Sequence, residues 1–504
     1  MPIVAATRKN FYKDSVVLMR VAQSVSARDG ITRVSLLMGT PANKDLLAQA
    51  GLLVEEVAAA AAADLMIVIE GGQAALGASL AEIDEQLAGR DNALAVERGE
   101  IAPRSIAMGL ARFDAATLAQ VSVPGPYAGA EALKALKAGL HVFLFSDNVP
   151  LAGEQELKRL AERKGLLVMG PDCGTAIIGG VPLGFANAVR RGAIGLVGAS
   201  GTGMQEVSVR IHARGEGVSH ALGTGSRYSG EVVGGKTLIA GLHLLARDPA
   251  TRVIVIVSKP PSPSVAVRSL RAARACGKPV VVLFLGAKIA GGGNIHPVAT
   301  LEQAAATAVA VARGEAPGAD AEPAPVAPMQ GFMRGLYSGG TFCTEAQLVL
   351  KDAGVAAWSN AAIDEEYALP RGAPSRGHTA IDLGAEEFTA GRPHPMIDFS
   401  TRVARLLEEA QDPAVAVIVL DVVLGFGAHP DPAGELAPAV RSARAIAAAE
   451  KRRLIVLGFV CGTDGDPQGL AGQVASLRDA GMLLAPSSSA AARLAARAIA
   501  GRGA

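Results

Sequence analysis

Short runs of aliphatic and β-branched residues alternate with stretches of helical length along most of this chain of 504 residues. The runs cover residues 65–69, 142–145, 166–169, 194–197, 253–257, 280–285, 415–420 and 454–459. Continuous apolar runs of this kind are typical of parallel strands that are buried on both faces. The segments between them, such as 154–164 and 265–276, have the length and spacing of crossover helices. The pattern predicts an α/β fold class with doubly wound parallel sheets.

The charges of the chain nearly cancel, and its aromatic residues are few. Lysine and arginine number 48, aspartate and glutamate number 47, and aromatic residues make up 4% of the sequence. This composition offers neither a basic field nor a stacking platform, so we expect no nucleic-acid partner. Charge at Arg8 and Lys9 precedes any apolar signal-peptide core, and no uninterrupted apolar run approaches about 20 residues. We therefore expect a cytoplasmic protein without a membrane segment.

The cysteines are Cys173, Cys276, Cys343 and Cys461, and they lie far apart in the sequence. They form no C-x-x-C pair and have no nearby histidine at metal spacing. The sequence therefore predicts reduced, packed thiols and no metal site. Cys173 follows a Gly-Pro-Asp turn and invites interpretation as a nucleophile, but no histidine or aspartate is spaced to activate it. We assign it to packing.

A segment rich in proline and alanine, 314–328, has no periodicity and is typical of a linker. It separates a large N-terminal part from a C-terminal domain. The predicted organisation is an N-terminal domain over 1–187, a second domain over 188–313, the linker over 314–330 and a third domain over 331–504.

The stretch from Gly195 to Met204 combines an apolar strand, a Ser-Gly-Thr-Gly turn and the start of a helix. Such a turn directs backbone N–H groups at an anion, and the helix dipole adds partial positive charge. Ser200, Gly201, Thr202 and Gly203 are therefore candidate phosphate ligands, with Ser200 or Thr202 also able to cap the helix. The structural alternative is an ordinary tight corner.

With these elements placed, the chain resembles succinyl-CoA synthetase. Residues 134–142 and 169–175 resemble the closing half of its CoA-binding domain, and the Ser200 turn resembles its phosphate-facing loop in the α-subunit. Residues 381–384 and 417–427 resemble the C-terminal domain of the β-subunit. The resemblance implies a Rossmann-like CoA-binding-type domain followed by two flavodoxin-like ligase domains. It also implies that Gly425, Phe426 and Gly427 form a second phosphate-binding loop at the start of another helix.

A closer resemblance, to the FdrA family, runs almost end to end. It rests on the strings at 38–44, 145–149, 257–261 and 391–398. That family is associated with ureide breakdown and is implicated in oxamate carbamoyltransferase chemistry, in which oxalurate and phosphate give oxamate and carbamoyl phosphate. The resemblance implies phosphate or carbamoyl phosphate as ligand, a small-molecule substrate and companion carbamoyltransferase subunits. A homo-oligomer is also compatible with it.

Departures from the synthetase are equally informative. The nucleotide-binding ATP-grasp domain is missing, and no G-x-x-x-x-G-K-[ST] run replaces it. Residues 5–15 do not match the synthetase loop that binds CoA, so the sequence does not predict CoA binding. The synthetase carries a histidine that becomes phosphorylated, and His296 is a poor substitute for it in this chain. The glutamate that partners that histidine in the synthetase is also replaced here, by residues within 258–261. What remains is a phosphate site without the machinery that charges a histidine from ATP.

Four further residues are candidates for chemistry. Lys259 ends a predicted strand and could neutralise phosphate or carboxylate, although a solvated lysine is an equal alternative. His429 could act as a general acid or phosphate donor, against a capping or surface histidine. Arg392 and His394 form a rigid Arg-Pro-His-Pro turn that suits an oxamate-like carboxylate. The structural alternative is a turn that is held by Asp398 or Asp382.

Three functions follow from these residues. The first is a subunit of a carbamoyltransferase complex that uses phosphate. The second is an ADP-forming acyl-CoA synthetase whose ATP-grasp domain is a separate chain. The third is a non-catalytic subunit that senses phosphate or an acyl metabolite. The activity of the isolated chain would distinguish among them.

Overall fold

The computed structural model describes residues 2–88, except 12, 14 and 27, and residues 103–317, 326–389 and 393–499. The chain divides into two compact units. The first contains Met1–Ala115 and Phe388–Asp398, and the second contains Ala116–Glu387 and Phe399–Ala504. Residues 318–325 of the predicted linker, as well as Arg392, lie outside the described residues.

The first unit is built on an antiparallel sheet. Its strands are β1 (Ile3–Arg8), β2 (Ile31–Met38) and β3 (Leu65–Gly71), and β3 lies between the other two. The helices of this part are α1 (Ser15–Ser26), α2 (Pro41–Gln49), α3 (Glu55–Ala58), α4 (Gln73–Ala88) and α5 (Ile106–Arg112). Thr40 caps α2, and Pro41 follows at the first helical position, where its missing N–H costs no hydrogen bond.

Strand β3 explains why the sequence prediction of a parallel strand at 65–69 is wrong. Leu65 and Ile67 pack in one apolar cluster with residues of α1 and α4, whereas Met66 and Val68 pack in another with Leu47. Burial on both faces produces the continuous apolar run whatever the direction of the neighbouring strands. The predicted domain over 1–187 therefore does not form one Rossmann-like body, because the antiparallel unit extends to Ala115.

The second unit contains three sheets. The smallest is parallel and consists of β4 (Leu118–Val121), β5 (His141–Leu144) and β6 (Val168–Met169). The remaining strands are β7 (Thr175–Ile178), β8 (Val181–Gly184), β9 (Ile194–Gly198), β10 (Val218–Gly223), β11 (Val253–Ser258), β12 (Val280–Phe284), β13 (Ile295–Pro297), β14 (Phe332–Tyr337), β15 (Thr379–Asp382), β16 (Val415–Val423), β17 (Ile455–Cys461) and β18 (Leu483–Ala485).

The remaining helices follow the predicted crossovers, with α7 and α10 at the expected places. They are α6 (Gly125–Lys137), α7 (Leu151–Lys164), α8 (Gly201–Ala213), α9 (Lys236–Arg247), α10 (Pro263–Ala275), α11 (Leu301–Arg313), α12 (Gly340–Asp352), α13 (Glu386–Thr389), α14 (Ser400–Gln411), α15 (Pro432–Ala449), α16 (Leu470–Asp479) and α17 (Ser488–Ile499). Among the described residues, none of these helices is both long enough and apolar enough to span a bilayer.

The two larger sheets correspond to the two halves on either side of the predicted linker. One has the order β13-β12-β11-β9-β10-β7-β8, and the other has the order β15-β14-β16-β17-β18. All pairs of the second sheet are parallel, and in the first the pair β10–β7 and the β7–β8 hairpin are antiparallel while the other pairs are parallel. This hairpin lies inside the predicted domain 1–187, yet it extends the sheet of the following domain. The predicted α/β class with parallel sheets is confirmed for this unit.

Candidate functional site

The N-terminus of α8 follows a fully buried strand, as the sequence predicts. Strand β9 ends at Gly198, and Ser200 adopts an extended backbone as the helix cap. Its Oγ accepts a hydrogen bond from the N–H of Gly203 at 2.8 Å. The first N–H groups of a helix have no acceptor within the helix, so this end of α8 is a local source of positive potential.

The N-terminus of α12 lies directly against that of α8. The hydroxyl oxygens of Ser200 and Thr341 are 2.5 Å apart. A Cβ placed on Gly339 would lie 2.6 Å from Oγ1 of Thr202, and one placed on Gly203 would lie 3.1 Å from Cγ2 of Thr341. Only glycine permits this approach. We call Ser200–Gly203 together with Gly339–Thr341 the paired N-termini.

The paired N-termini concentrate hydroxyl and N–H donors in a small space. The side chains of Ser200, Thr202 and Thr341 are 5%, 8% and 5% exposed, whereas Gly201 and Gly340 are half-buried. Each helix end contributes roughly half a positive charge. Two such ends that meet at the protein surface can neutralise a small dianion from two sides.

The side chains of Lys259 and Asp382 both approach Gly340, the first residue of α12. A Cβ on Gly340 would lie 2.6 Å from Oδ2 of Asp382 and 3.4 Å from Nζ of Lys259. Lys259 is exposed, and Asp382 is only 9% exposed. Burial raises the pKa of Asp382, and the charge of Lys259 opposes that rise. The structure thus places the predicted Lys259 beside the N-terminus of α12 and adds a carboxyl group that the sequence analysis did not assign.

A buried ion pair, Arg402 with Asp421, fixes the turn before α12. Asp421 of β16 accepts hydrogen bonds from the N–H of Ser338, at 2.7 Å, and from its hydroxyl. Nη2 of Arg402 donates to the carbonyl oxygen of Asp421 at 2.5 Å and lies 3.2 Å from Oδ1. Both side chains are completely buried. Burial lowers the pKa of Arg402, and Asp421 opposes that change. The pair fixes where Gly339 and Gly340 begin the helix.

Ser488 links α8 and α12 through hydrogen bonds to a glutamate of each helix. The N–H of Ser488 donates to Glu206 of α8 at 3.2 Å, and the hydroxyl of Ser488 donates to Glu345 of α12. Glu345 also accepts from the N–H of Leu301 at 2.7 Å. Burial raises the pKa of Glu345 to about 7. These contacts hold the two helices in register, so the paired N-termini are a fixed feature of the second unit.

The loop Gly425–Gly427 does not join the paired N-termini in the way the resemblance implies. The N–H of Gly425 donates to Gln468 at 3.0 Å, and that of Phe426 donates to the carbonyl oxygen of Ala186 at 2.9 Å. These donors are therefore already used within the protein. The next helix, α15, begins at Pro432 and not directly behind Gly427. The helix that faces α8 is α12, because the five-stranded sheet presents β14 and its turn toward Ser200.

His429 lies in the loop that leads into α15. Its Nδ1 accepts from the N–H of Asp431 at 3.0 Å, and its ring packs edge-on against Phe399 with centroids 5.5 Å apart. The side chain is largely buried. These contacts match the capping alternative, and no described contact brings His429 to the paired N-termini.

His394 belongs to the first unit. Its Nδ1 accepts from the N–H of Met396 at 3.3 Å, and its carbonyl oxygen accepts from the N–H groups of Ile397 and Asp398 at 2.7 and 3.1 Å. These bonds build the turn itself. Arg392, its predicted partner in carboxylate binding, lies outside the described residues, so their joint role stays a prediction.

Sequence reasoning missed three parts of this site: the turn Ser338–Thr341, Asp382 and Asp421. A signal for the first was present, since a buried strand runs into Ser-Gly-Gly-Thr and then a helix, as at Ser200. Asp421 directly follows the predicted buried strand at 415–420, where a lone carboxylate needs a partner, whereas no strand was predicted before Asp382. Their partners, however, come from distant parts of the chain.

The parallel sheet β4–β6 lies in the part of the chain that resembles a CoA-binding domain. Its first strand–helix turn runs from β4 to Gly125, the first residue of α6. A Cβ on Gly125 would lie 2.4 Å from the carbonyl oxygen of Asp147, so only glycine fits at this helix start. Residues 5–15, compared with the CoA loop above, begin instead in the antiparallel unit.

Thiol reactivity offers a simple check of the described core. Burial raises the pKa of Cys173 and of Cys343 to about 12 and that of Cys461 well above its ordinary value. Cys276 is the half-buried cysteine. We expect 5,5′-dithiobis-(2-nitrobenzoic acid) at pH 8 to modify Cys276 first, with the others reacting only after denaturant is added. Rapid modification of Cys173 in the native protein would contradict its assignment to packing.

Comparison with known proteins identifies two family models and several relatives. A CoA-ligase model matches residues 336–498, and a model described as AllF, heavy metal-associated domain, matches residues 1–102. The chain is 43% identical over 503 residues to YahF of Escherichia coli (strain K12), with 97% of each chain covered. It is 28% identical over 187 residues to SauD of Bilophila wadsworthia (strain 3_1_6), an ADP-forming sulfoacetate-CoA ligase subunit, covering 36% of this chain and 62% of that relative. A match of 28% identity over 148 residues to the ADP-forming succinate–CoA ligase α-subunit of Aquifex aeolicus (strain VF5) covers 28% and 46%.

The heavy-metal description of the N-terminal match does not fit the residues of that segment. Residues 1–102 contain neither cysteine nor histidine, which bind heavy metals through thiolate sulfur or imidazole nitrogen. Within the described parts of the chain, no group of three or more His, Cys, Asp or Glu side chains is placed to hold a metal ion. The segment matches the domain model without thiol or imidazole ligands.

Proposed function

Since this chain belongs to the FdrA family of acyl-CoA synthetase-like proteins, we propose that it is the phosphate-binding subunit of a carbamoyltransferase. The reaction is the phosphorolysis of oxalurate to oxamate and carbamoyl phosphate. The observation that carries the proposal is the contact between Ser200 and Thr341, which sets two helix N-termini against each other. An AllF-type N-terminal match supports the link to allantoin-derived ureides.

The paired N-termini suit the electrostatics of this reaction. Phosphate arrives as a dianion, and its oxygen attacks the carbonyl carbon of the ureido group. The first N–H groups of the two helices, which have no acceptor within their helices, would hold it in place for attack. The same donors stabilise carbamoyl phosphate in the reverse direction. Lys259 lies within reach of this anion and contributes a full positive charge at its open side.

Companion subunits complete the proposed enzyme. The relatives SauD and the Aquifex α-subunit are themselves described as subunits of ligases. In the described residues the proposed site has two helix N-termini and a lysine, but the histidine predicted as a general acid, His429, is used in a turn. We therefore propose that the chain turns over substrate only when its partners are present.

The second candidate is an ADP-forming acyl-CoA ligase with a separate ATP-grasp chain. The CoA-ligase match over residues 336–498 and the descriptions of two relatives favour it. Against it stands the mismatch of residues 5–15 to the CoA-binding loop of the synthetase, since these residues begin in the antiparallel unit. Binding measurements with CoA and with phosphate distinguish the two candidates directly.

We expect the purified chain to bind inorganic phosphate, measured by isothermal titration calorimetry, and to bind neither ATP nor CoA at micromolar concentration. Phosphate binding should weaken at least tenfold in Thr341→Val, which removes a hydroxyl from the site at nearly constant volume. The control is Thr237→Val, a buried threonine of α9 whose hydroxyl donates to Val168. Micromolar CoA binding would instead favour the ligase, and phosphate binding that is unchanged in Thr341→Val would contradict the proposed site.

A further inference from the structure

We propose that Asp382 transfers the proton in this site, donating it to the leaving nitrogen of oxamate during phosphorolysis and removing it in the reverse reaction. This inference rests on the proposed carbamoyl transfer. It supplies the group that the paired N-termini lack, because N–H donors and Lys259 stabilise negative charge but do not protonate an amide nitrogen.

The geometry places Asp382 where the reacting atoms would lie. Its Oδ2 lies over Gly340, 2.6 Å from the position of a Cβ there, and Nζ of Lys259 lies 3.4 Å from the same position. The two side chains come from different halves of the second unit, since Lys259 directly follows β11 and Asp382 ends β15, and they converge on one half-buried helix start. A phosphate at the paired N-termini would therefore have a carboxyl group and an ammonium group at its open side.

The hydrogen bonds of Asp382 leave one oxygen available. Its Oδ1 accepts from the N–H of Gly384 at 2.9 Å. The side chain of Asn360 accepts from the N–H of Asp382 at 2.9 Å and donates to its carbonyl oxygen at 3.0 Å. The backbone and Oδ1 are thus fixed while Oδ2 faces Gly340. Within the described residues, no lysine, arginine or histidine lies within 4.0 Å of this carboxylate, in contrast to Asp421 or Glu409. A carboxyl group held in this way in a buried setting keeps a proton more readily than an exposed one.

The proton balance of the reaction closes with Asp382 alone. Hydrogen phosphate forms a bond from oxygen to the ureido carbonyl carbon, and the bond from that carbon to the oxamate nitrogen breaks. The electron pair of the broken bond stays on nitrogen, which takes the proton of the Asp382 carboxyl group. The resulting carboxylate then takes the proton that the phosphate oxygen loses. Carbamoyl phosphate and oxamate leave, and Asp382 is protonated again.

A purely structural role is the competing explanation. A carboxylate near a helix N-terminus also stabilises the helix through its dipole. Both roles predict lower stability for Asp382→Asn, but only proton transfer predicts a change in the pH dependence of turnover. Proton transfer also predicts that Asp382→Asn binds phosphate about as tightly as the wild type, because asparagine replaces an uncharged carboxyl group of the same size, whereas the loss of a structural contact at the helix start would weaken binding.

The test uses the complex of this chain with its companion subunits, purified through a tag on the chain, and measures oxamate-dependent consumption of carbamoyl phosphate. The same steps in reverse also begin with a protonated Asp382, which gives its proton to the phosphate oxygen and then removes one from the oxamate nitrogen. The wild-type rate should therefore fall as the pH rises through the pKa of Asp382. Asp382→Asn should lower kcat at least a hundredfold and abolish this dependence of the rate on pH. Its affinity for phosphate, measured by calorimetry, should be unchanged. Asp382→Glu should regain a large part of kcat. The control, Asp364→Asn, removes an exposed carboxylate from Lys351 and should leave all three measurements unchanged.

The outcomes separate the two claims. If wild type binds phosphate at the paired N-termini and Asp382→Asn retains kcat and its dependence on pH, the assignment of Asp382 is overturned and the proposed function stands. If the wild-type complex consumes no carbamoyl phosphate and the chain binds no phosphate, the proposed function fails first. Should Asp382→Asn fail to fold, the wild-type profile still decides, because a rate independent of pH from 4 to 8 would exclude a titrating carboxyl group.

Discussion

Gly201→Val should lower the turnover of the complex by about a hundredfold, corresponding to a loss of about 3 kcal/mol of transition-state stabilisation. Gly201 is the first residue of α8, and it is half-buried at the mouth of the paired N-termini. A Cβ there would lie 3.1 Å from Oγ1 of Thr175, a contact that small shifts relieve, so the fold should survive. The remaining bulk of valine would stand between the phosphate and the N–H groups of the helix.

The matched control for this variant is Gly472→Val. Gly472 also lies in the first turn of a helix, α16, and a Cβ on it would meet no atom within 4 Å. Both variants carry the same small cost in helix propensity. Turnover is measured with oxamate and carbamoyl phosphate, and phosphate binding by calorimetry. Equal turnover in Gly201→Val and Gly472→Val would mean that the α8 turn is an ordinary corner.

Gly427→Val does not serve as a second test of phosphate binding. Gly427 has a φ of +82°, where valine is strained, and its Cβ would lie 2.8 Å from the ring of Phe185. A loss of activity in this variant would report damage to the contact between this loop and residues 184–187. Gly201 is the informative position because its surroundings tolerate a side chain.

The local patterns of the sequence predict the second unit well. The runs at 194–197, 253–257 and 280–285 became adjacent parallel strands, because strands buried on both faces need continuous apolar sequence. The Ser-Gly-Thr-Gly turn became a capped helix start, since Ser200 can satisfy the N–H of Gly203 from three residues away. Both predictions depend only on residues close in the sequence.

The failures all concern contacts over long sequence separations. Burial of β3 on both faces does not encode the direction of β1 and β2, and so the antiparallel first unit was missed. The second helix start was placed behind Gly427, because the resemblance to the synthetase β-subunit implies a phosphate-binding loop there. What distinguishes this loop from the turn at Gly339 is whether the N–H groups find acceptors, and Ala186 and Gln468 are far away in the sequence.

Removing one side of the buried pair between Arg402 and Asp421 should reduce the free energy of unfolding of the second unit by about 3–5 kcal/mol. In Asp421→Asn the guanidinium group, which is completely buried, loses its counter-charge and cannot recover it from water. Nε and Nη1 of Arg402 have no hydrogen-bond partner among the described residues, so the remaining contacts do not compensate. Urea unfolding followed by the fluorescence of Trp358, the only tryptophan, reports on this unit.

The double variant Arg402→Met with Asp421→Asn separates the charge from the other contacts. It should be more stable than Asp421→Asn alone, because no uncompensated charge remains in the core. The control Asp364→Asn breaks the exposed pair with Lys351, whose side chains are 41% and 57% exposed, and should change stability by less than about 1 kcal/mol. Asp421→Asn should also weaken phosphate binding, since the carboxylate that accepts from both the N–H and the hydroxyl of Ser338 is lost. Equal stability of Asp421→Asn and Asp364→Asn would mean that the turn before α12 is held by its packing and not by this ion pair.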